Sequence, residues 1–457
     1  MRDLLGRTAA GGEVVVRGWL KTARHAKERS FLEVTDGSCL AGIQAVVERD
    51  LPNYASEVRE LRAGEAVCVA GELRDSPATG QRFEIASRSV EVVGRVGEDY
   101  ALQKKRHTFE YLRTIGHLRP RTNTIGAVWR VRDAAAHAIH CFFRERGFVW
   151  LHAPIVSRTD TEGAGALFRV TTLDPANPPR RADGGVDFAQ DFFGGEAHLT
   201  VSGQLEAEIG ALALTDVYTF GPTFRAEHST TPRHLAEFWM VEPEMAFCDL
   251  DGAVSLAEAF LKHVFAAVLE ACPEDMSFFA ERIDPQVLDV LRHVIESPFE
   301  RLTYTEAIQR LERSGRSFEF PVAWGCDLQS EHERWLAEEH VGRPLVVTDY
   351  PKQIKAFYMY VNDDGRTVRA LDVLVPRIGE IVGGSQREDR VEVLRGRIAE
   401  AGLREADYAW YLELRRHGSV PHAGFGVGFE RMVQFMTGLA NIREVIPFPR
   451  VPGFAEF

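Results

Sequence analysis

The segment from Thr219 to Phe247, TFGPTFRAEHSTTPRHLAEFWMVEPEMAF, constrains this chain more than any other. It opens on an apolar, β-prone run, Val217 to Phe220, broken by Gly221-Pro222. Phe224-Arg225-Ala226-Glu227 alternates like a strand, His228 to Pro232 carries turn chemistry, and Leu235 to Phe247 alternates again. The pattern predicts an antiparallel hairpin with a long polar loop. Its charge is unusual: Arg225, Glu227, Arg233, His234, Glu237, Glu242 and Glu244 lie in or beside strands carrying Phe and Trp. Ionised groups on a sheet face are costly unless they are paired or hold a ligand. A solvated face with cross-strand salt bridges is one reading, and the aromatic content favours a ligand platform.

With 457 residues, two or three domains are expected. No apolar run approaches the roughly 18 residues of a membrane helix. The start, MRDLLGRTAAGG, lacks a signal-peptide core. Six widely spaced cysteines without a CxxC predict free thiols in a reducing cytoplasm. Fifteen histidines show no HExxH spacing, so none is a strong metal-ligand candidate. A net charge of −13 argues against binding nucleic acid by bulk electrostatics. Local basic clusters nonetheless occur at Arg17 to Arg29, at Lys104-Lys105-Arg106 and at Arg119-Pro120-Arg121.

The first hundred residues read as five strands, Val14 to Trp19, Ser30 to Val34, Ala41 to Val47, Glu65 to Glu72 and Arg82 to Val93. A helix fits Leu51 to Leu61. Five strands with a helix after the third is the order of an OB-fold, an oligonucleotide-binding barrel; a small barrel for protein contacts reads the same way. Arg17, Lys21, Arg24 and Lys27 are placed to follow phosphates. Phe31 is placed to stack on a base, and Gln44 and Glu84 to read base edges. Alternating with Leu32, Phe31 also suits a core.

A polar, basic stretch from Glu98 to Pro120 precedes an amphipathic helix that starts near Asn123 and ends at Gly147. Phe148 to Leu151 follows as a strand, then Pro154. The Gly/Thr-rich loop Ser157 to Phe168 holds Asp160 and Glu162 and could close over a small ligand. Gln204 lies at a helix start, where it could meet a carboxylate. Leu250 to Ala271 is a second amphipathic helix. Asp372 and Glu380 suit a Mg²⁺ that also takes phosphate oxygens, the alternative being a carboxylate paired with Arg377. Alternating glycines at 424, 426 and 428 would let a flat group lie on the backbone. Without GxGxxG or GxxxxGK[ST], Rossmann and P-loop sites are disfavoured.

Three features in order resemble motifs 1, 2 and 3 of the class II aminoacyl-tRNA synthetases. They are the helix-strand unit ending at Pro154, FRAE(x9)EF at 224–238 and GFGVGFER at 424–431. The preceding OB-fold is similar to that of the subgroup charging Asp, Asn and Lys. TVSGQLEAE (200–208), IKAFYM (354–359), GEIVGGSQR (379–387) and NIREVIPFPR (441–450) resemble the asparaginyl family within it. KTARHAKER (21–29) is more charged than that family usually shows. The resemblance implies an α+β fold: an OB-fold β-barrel over 1–98, a hinge over 99–120, and a catalytic domain over 121–457 built on an antiparallel sheet flanked by helices. It also implies ATP-dependent ligation of L-asparagine to tRNA(Asn) through an asparaginyl-adenylate, with Mg²⁺, in a cytoplasmic homodimer joined through motif 1.

The resemblance further implies roles for residues. Arg225 would grip the ATP α-phosphate and Arg431 the γ-phosphate, and with Glu380 these form the catalytic set. Phe238 and Arg431 would sandwich adenine over Gly428, while Glu227, Arg233 and His234 hold the nucleotide. Asp372 and Glu380 would carry Mg²⁺. Glu162 and Gln204 would take the α-amino group, with Tyr358 nearby, and Arg387 the side-chain carbonyl. Ala207 stands where aspartyl relatives place a lysine, which favours a neutral amide, and Glu227 would accept from the amide NH₂. Phe31, Gln44 and Glu84 would read the anticodon. The rival readings are an aspartyl enzyme, an adenylate-forming paralogue without tRNA work, and an RNA-binding protein on an inactive scaffold.

Overall fold

A computed structural model describes residues 1–102, 107–163, 166–229 and 231–457. The basic cluster Lys104-Lys105-Arg106 lies outside the described residues. The chain forms two units. One comprises Met1–Asp133, Cys272–Phe279 and Phe457; the other comprises Ala134–Ala271 and Ala280–Glu456.

The first unit contains a closed barrel of β1 (Glu13–His25), β2 (Arg29–Thr35), β3 (Ile43–Glu48), β4 (Ala66–Asp75) and β5 (Phe83–Gly94), in the order β1-β2-β3-β5-β4. Alternation builds it: Val14, Val16, Leu32, Val34, Val67, Val69, Phe83 and Ile85 point inward, while their neighbours stay more exposed. The expected helix over Leu51 to Leu61 does not form. Those residues are turns ending in a short 3₁₀ segment, Val58–Glu60. The Asn53 amide donates to the Val90 carbonyl at 2.8 Å, a side-chain bond that ties this start to β5 instead of to a helix. Tyr54, Val58 and Leu61 still bury into the barrel core, so the apolar spacing was real but served a plug.

The second unit is an α+β domain on an eight-stranded sheet. Its strands are β6 (Val149–Trp150), β10 (Asp216–Phe224), β11 (Glu237–Ala246), β12 (Glu300–Thr303), β13 (Leu345–Pro351), β14 (Thr367–Val375), β15 (Gly379–Gln386) and β16 (His422–Gly428). They run in the order β12-β13-β14-β15-β16-β11-β10-β6. Among the described residues of this sheet, only the β6–β10 and β12–β13 pairs are parallel. A small sheet of β7 (Val156–Ser157), β8 (Arg169–Val170) and β9 (Ala197–Leu199) precedes the helix Gln204–Leu214. The helix Leu250–Ala271 is long and apolar enough to cross a membrane by length and composition, contrary to the sequence reading. Its apolar residues Val254, Phe260, Leu261, Val264 and Phe265 are buried, as befits a core helix.

The predicted hairpin is β10–β11, antiparallel from Phe224↔Glu237 to Asp216↔Met245. Strand alternation places Phe238, Met240, Glu242 and Glu244 on one face. That face is lined across the sheet by β14, β15 and β16, and it carries the site.

Candidate active site

Two adjoining cavities, of about 830 and 730 Å³, share Arg225, Met240, Glu380 and Gly426 as walls.

The larger cavity holds Arg225, Glu227, Arg233, His234, Phe238, Gly428 and Arg431, all expected on the nucleotide. Arg225 follows β10 directly and is fixed by its N–H to the Ala236 carbonyl at 2.9 Å, across the hairpin. Its guanidinium lies over the Phe238 ring, 5.4 Å from the centroid. Arg431, in the first turn of the helix Phe429–Thr437, donates to the Glu380 carbonyl at 3.0 Å and lies 3.8 Å from the Glu380 carboxylate. Arg233 donates to Ser330 at 2.7 Å. Three arginines and an aromatic ring beside a glycine-lined strand suit a polyphosphate joined to a flat base.

The smaller cavity is lined by Glu162, Gln204, Tyr358, Asp372, Glu380 and Arg387. Glu162 and Arg225 form an ion pair at 2.5 Å. Burial raises the Glu162 carboxyl, and Arg225 opposes that rise. Arg387 is fully buried, donates to Ser385 at 2.7 Å and holds Glu244 through both Nε and Nη2. Burial raises the Glu244 carboxyl, and Arg387 opposes that rise. Burial alone would lower Arg387, yet the Glu244 carboxylate outweighs it, so the proton stays on the guanidinium. Breaking such a pair strands a buried charge and costs about 3–5 kcal/mol. Gly424 makes room for it, since a Cβ there would come within 2.3 Å of Glu244 Oε1.

Asp372 on β14 and Glu380 on β15 converge. A Cβ on Gly383 would sit 3.1 Å from Glu380 Oε1 and 3.5 Å from Asp372 Oδ1, so both carboxylates face one spot that a glycine keeps open. Among the described residues no three His, Cys, Asp or Glu form a metal cage. Two carboxylates that leave further positions to phosphate oxygens and water still fit Mg²⁺ chemistry. Asp372 is paired with Lys355 at 2.6 Å, not with Arg377, which pairs with Asp284.

Not every expectation holds. Ala207 lines neither cavity; its methyl is buried with Ala211 and Val217. The helix turns it toward β10 while Gln204, three residues earlier, faces the cavity. Glu227 lines the larger cavity and not the smaller one, so the structure brings it to the nucleotide side of the two sides it was expected on. Glu333 and Lys355 were missed. Glu333 accepts from the Glu380 N–H at 3.1 Å, and burial together with Glu380 pushes its carboxyl up to about 8. Glu242 also stood unassigned. It accepts from Thr219 Oγ1, Ser202 Oγ and the Gly203 N–H, and so pins the start of the Gln204 helix.

On the barrel, the expected base-reading residues are adjacent. Arg24 lies over the Phe31 ring and donates to Gln44 at 3.1 Å, and Gln44 donates to Glu84 at 3.3 Å. Phe31 is half-buried, whereas Leu32 is the core residue. Lys21 is turned to the Leu40 carbonyl and so is not a free phosphate contact.

Comparison with known proteins places this geometry. Residues 108–452 match the family model for tRNA synthetases class II (D, K and N). The asparagine--tRNA ligase of Thermosynechococcus vestitus is 60% identical, covering 100% of this chain and 99% of its own. That of Synechocystis is 61% identical over 100% of this chain and 98% of its own. The crystal structure of asparaginyl-tRNA synthetase from Pyrococcus horikoshii complexed with asparaginyl-adenylate superposes with a TM-score of 0.86 at 33% identity, covering 98% and 97% of the two chains. The chain belongs to the class II tRNA synthetases of the D, K and N group, and within it to the asparagine--tRNA ligases.

Proposed function

We propose that this chain uses ATP to join L-asparagine to tRNA(Asn), in two steps carried out across the shared wall of the two cavities. The observation that carries the reading is Arg225, which lines both cavities and stands over the Phe238 ring. A residue there can meet an adenine nucleotide and an amino acid at the point where they react. In the first step an oxygen of the asparagine carboxylate attacks the α-phosphorus. The new P–O bond forms as the bond to the β-phosphate oxygen breaks, giving asparaginyl-adenylate and pyrophosphate. In the second, a hydroxyl of the terminal tRNA adenosine attacks the acyl carbon, and AMP leaves.

No protein nucleophile is needed; the residues act by placement and charge. Arg225 takes the α-phosphate, and Arg431, Arg233 and His234 take the departing phosphates. Phe238 and Gly428 hold the base, with Glu227 at the nucleotide. Glu162 and Gln204 take the α-ammonium beside Tyr358. Arg387, its charge matched by Glu244, donates to the side-chain carbonyl. A pocket with that balance favours an amide over a carboxylate. Asp372 and Glu380 would hold Mg²⁺, which would supply neutralisation of phosphate charge.

Residues 1–98 serve as the anticodon-binding domain, 99–120 as the hinge and 121–457 as the catalytic domain. Two copies pair through the helix-strand unit of motif 1; support comes from β6, at the sheet edge, which exposes Val149 and Trp150. Six free thiols accord with a cytoplasmic location.

The test is charging of a tRNA(Asn) transcript with labelled asparagine or aspartate. Asparagine should be esterified and aspartate not; transfer of aspartate alone would refute the reading. On the barrel, Phe31→Ala should raise the KM for tRNA by about fivefold to 150-fold, since stacking one base is worth about 1–3 kcal/mol. ATP–pyrophosphate exchange should stay unchanged. Equal loss in both assays would remove Phe31 from the anticodon surface.

A further inference from the structure

Behind the amino-acid cavity, and lining neither cavity, lies a fully buried carboxylate, Glu208. It accepts from the Tyr411 hydroxyl at 2.8 Å, from Arg415 and from Gln204 Nε2 at 3.1 Å. His422 Nε2 lies 3.0 Å from it, and the other ring nitrogen faces the Val420 carbonyl at 2.7 Å. Burial alone would raise the Glu208 carboxyl; Arg415 and His422 outweigh it and hold it well below the usual carboxylate range. Glu208 is therefore an anion that only accepts.

That has a consequence one turn earlier on the same helix. Glu208 fixes which way the Gln204 amide points. A carboxylate acceptor demands the NH₂ end, so Gln204 must turn its carbonyl oxygen the other way. Gln204 lines the smaller cavity, and among the described residues its Oε1 takes no hydrogen bond. A carbonyl presented in a cavity that the Glu162 carboxylate also lines accepts from an ammonium and repels an anion.

We propose that Glu208 is a positioning residue for the substrate's α-ammonium group: acting through Gln204, it holds the amide with its oxygen toward the substrate. This rests on the assignment of the smaller cavity to the amino acid. With a neutral amide at position 208, Gln204 is free to present either end, and the preference for an ammonium weakens.

The readout is the selectivity between asparagine and succinamate, which keeps the amide and carboxylate but lacks the α-ammonium. In ATP–pyrophosphate exchange, Glu208→Gln should raise the asparagine KM by about tenfold to a hundredfold, the range for a hydrogen bond to a charged group. The inhibition constant of succinamate, the KM for ATP and kcat at saturating asparagine should stay near wild type. Glu208→Gln leaves Arg415 without its carboxylate, so the charge-matched double variant E208Q/R415Q carries the same prediction if the single one is unstable. In a Gln204→Ala background Glu208→Gln should add nothing further. Equal weakening of asparagine and succinamate, no change in either, or additivity with Gln204→Ala would each overturn the proposal while leaving the assigned reaction standing. Absence of asparagine-dependent exchange in the wild-type chain would overturn both.

Discussion

Arg225→Gln should lower the rate of asparaginyl-adenylate formation by about 10²–10³-fold, the loss seen when one preorganised donor to a developing oxyanion is removed. The side chain is held at the cavities' shared wall by backbone pairing of its own N–H to Ala236 and by the ring of Phe238. Its charge therefore stands in place before substrates arrive. Because it is about one-third exposed and outside the core, the fold should survive its loss. Thermal unfolding should shift by no more than the ~1 kcal/mol of a partly exposed ion pair. A variant that is inactive and also unfolded would assign Arg225 to structure rather than to the reaction.

Glu380→Gln should be the second large loss, with exchange reduced by about 10²-fold or more, since on the proposed reading Glu380 would hold a cation worth several kcal/mol to the reaction. Asparagine binding alone, measured by calorimetry without nucleotide, should persist, because the amino-acid contacts assigned to Glu162, Gln204 and Arg387 remain. The Mg²⁺ concentration giving half-maximal exchange should rise in the variant. Normal exchange at ordinary Mg²⁺ would contradict the assignment. The same substitution relieves crowding of carboxylates: Asp372 raises the Glu380 carboxyl beyond the effect of burial, and Glu380 in turn raises Glu333. Stability without ligands should therefore hold or rise, which separates this loss from unfolding.

The hairpin at the centre of the chain was legible because its charges sat at the wrong places for an ordinary sheet. The charge pattern pointed to a ligand platform, while the roles of Arg225 and Phe238 came from the resemblance of FRAE(x9)EF to a known motif, and the antiparallel register follows the predicted turn. The barrel was legible through its β-branched and aromatic runs and their order. What the sequence hid has physical causes. The segment Leu51 to Leu61 carries helical apolar spacing, yet Asn53 spends its amide on β5, a contact between residues far apart in sequence. Glu242 and Glu244 share the hairpin's charge pattern with Arg225 but are satisfied by protein, through the Gln204 helix start and Arg387. Nothing local distinguishes a charge that waits for a ligand from one that already has a partner. Glu333 and Lys355 lie in stretches without strong periodicity, and only the sheet brings them to Glu380 and Asp372. Ala207 was read from its place in a motif, and the helix face on which it lies emerges only in the structure.

If the two cavities hold an adenine nucleotide and asparagine for one in-line reaction at Arg225, ATP–pyrophosphate exchange must proceed without tRNA. Label from pyrophosphate should enter ATP when L-asparagine is present and stay at background with L-aspartate. Exchange driven by aspartate alone, or none with either amino acid, would contradict the account.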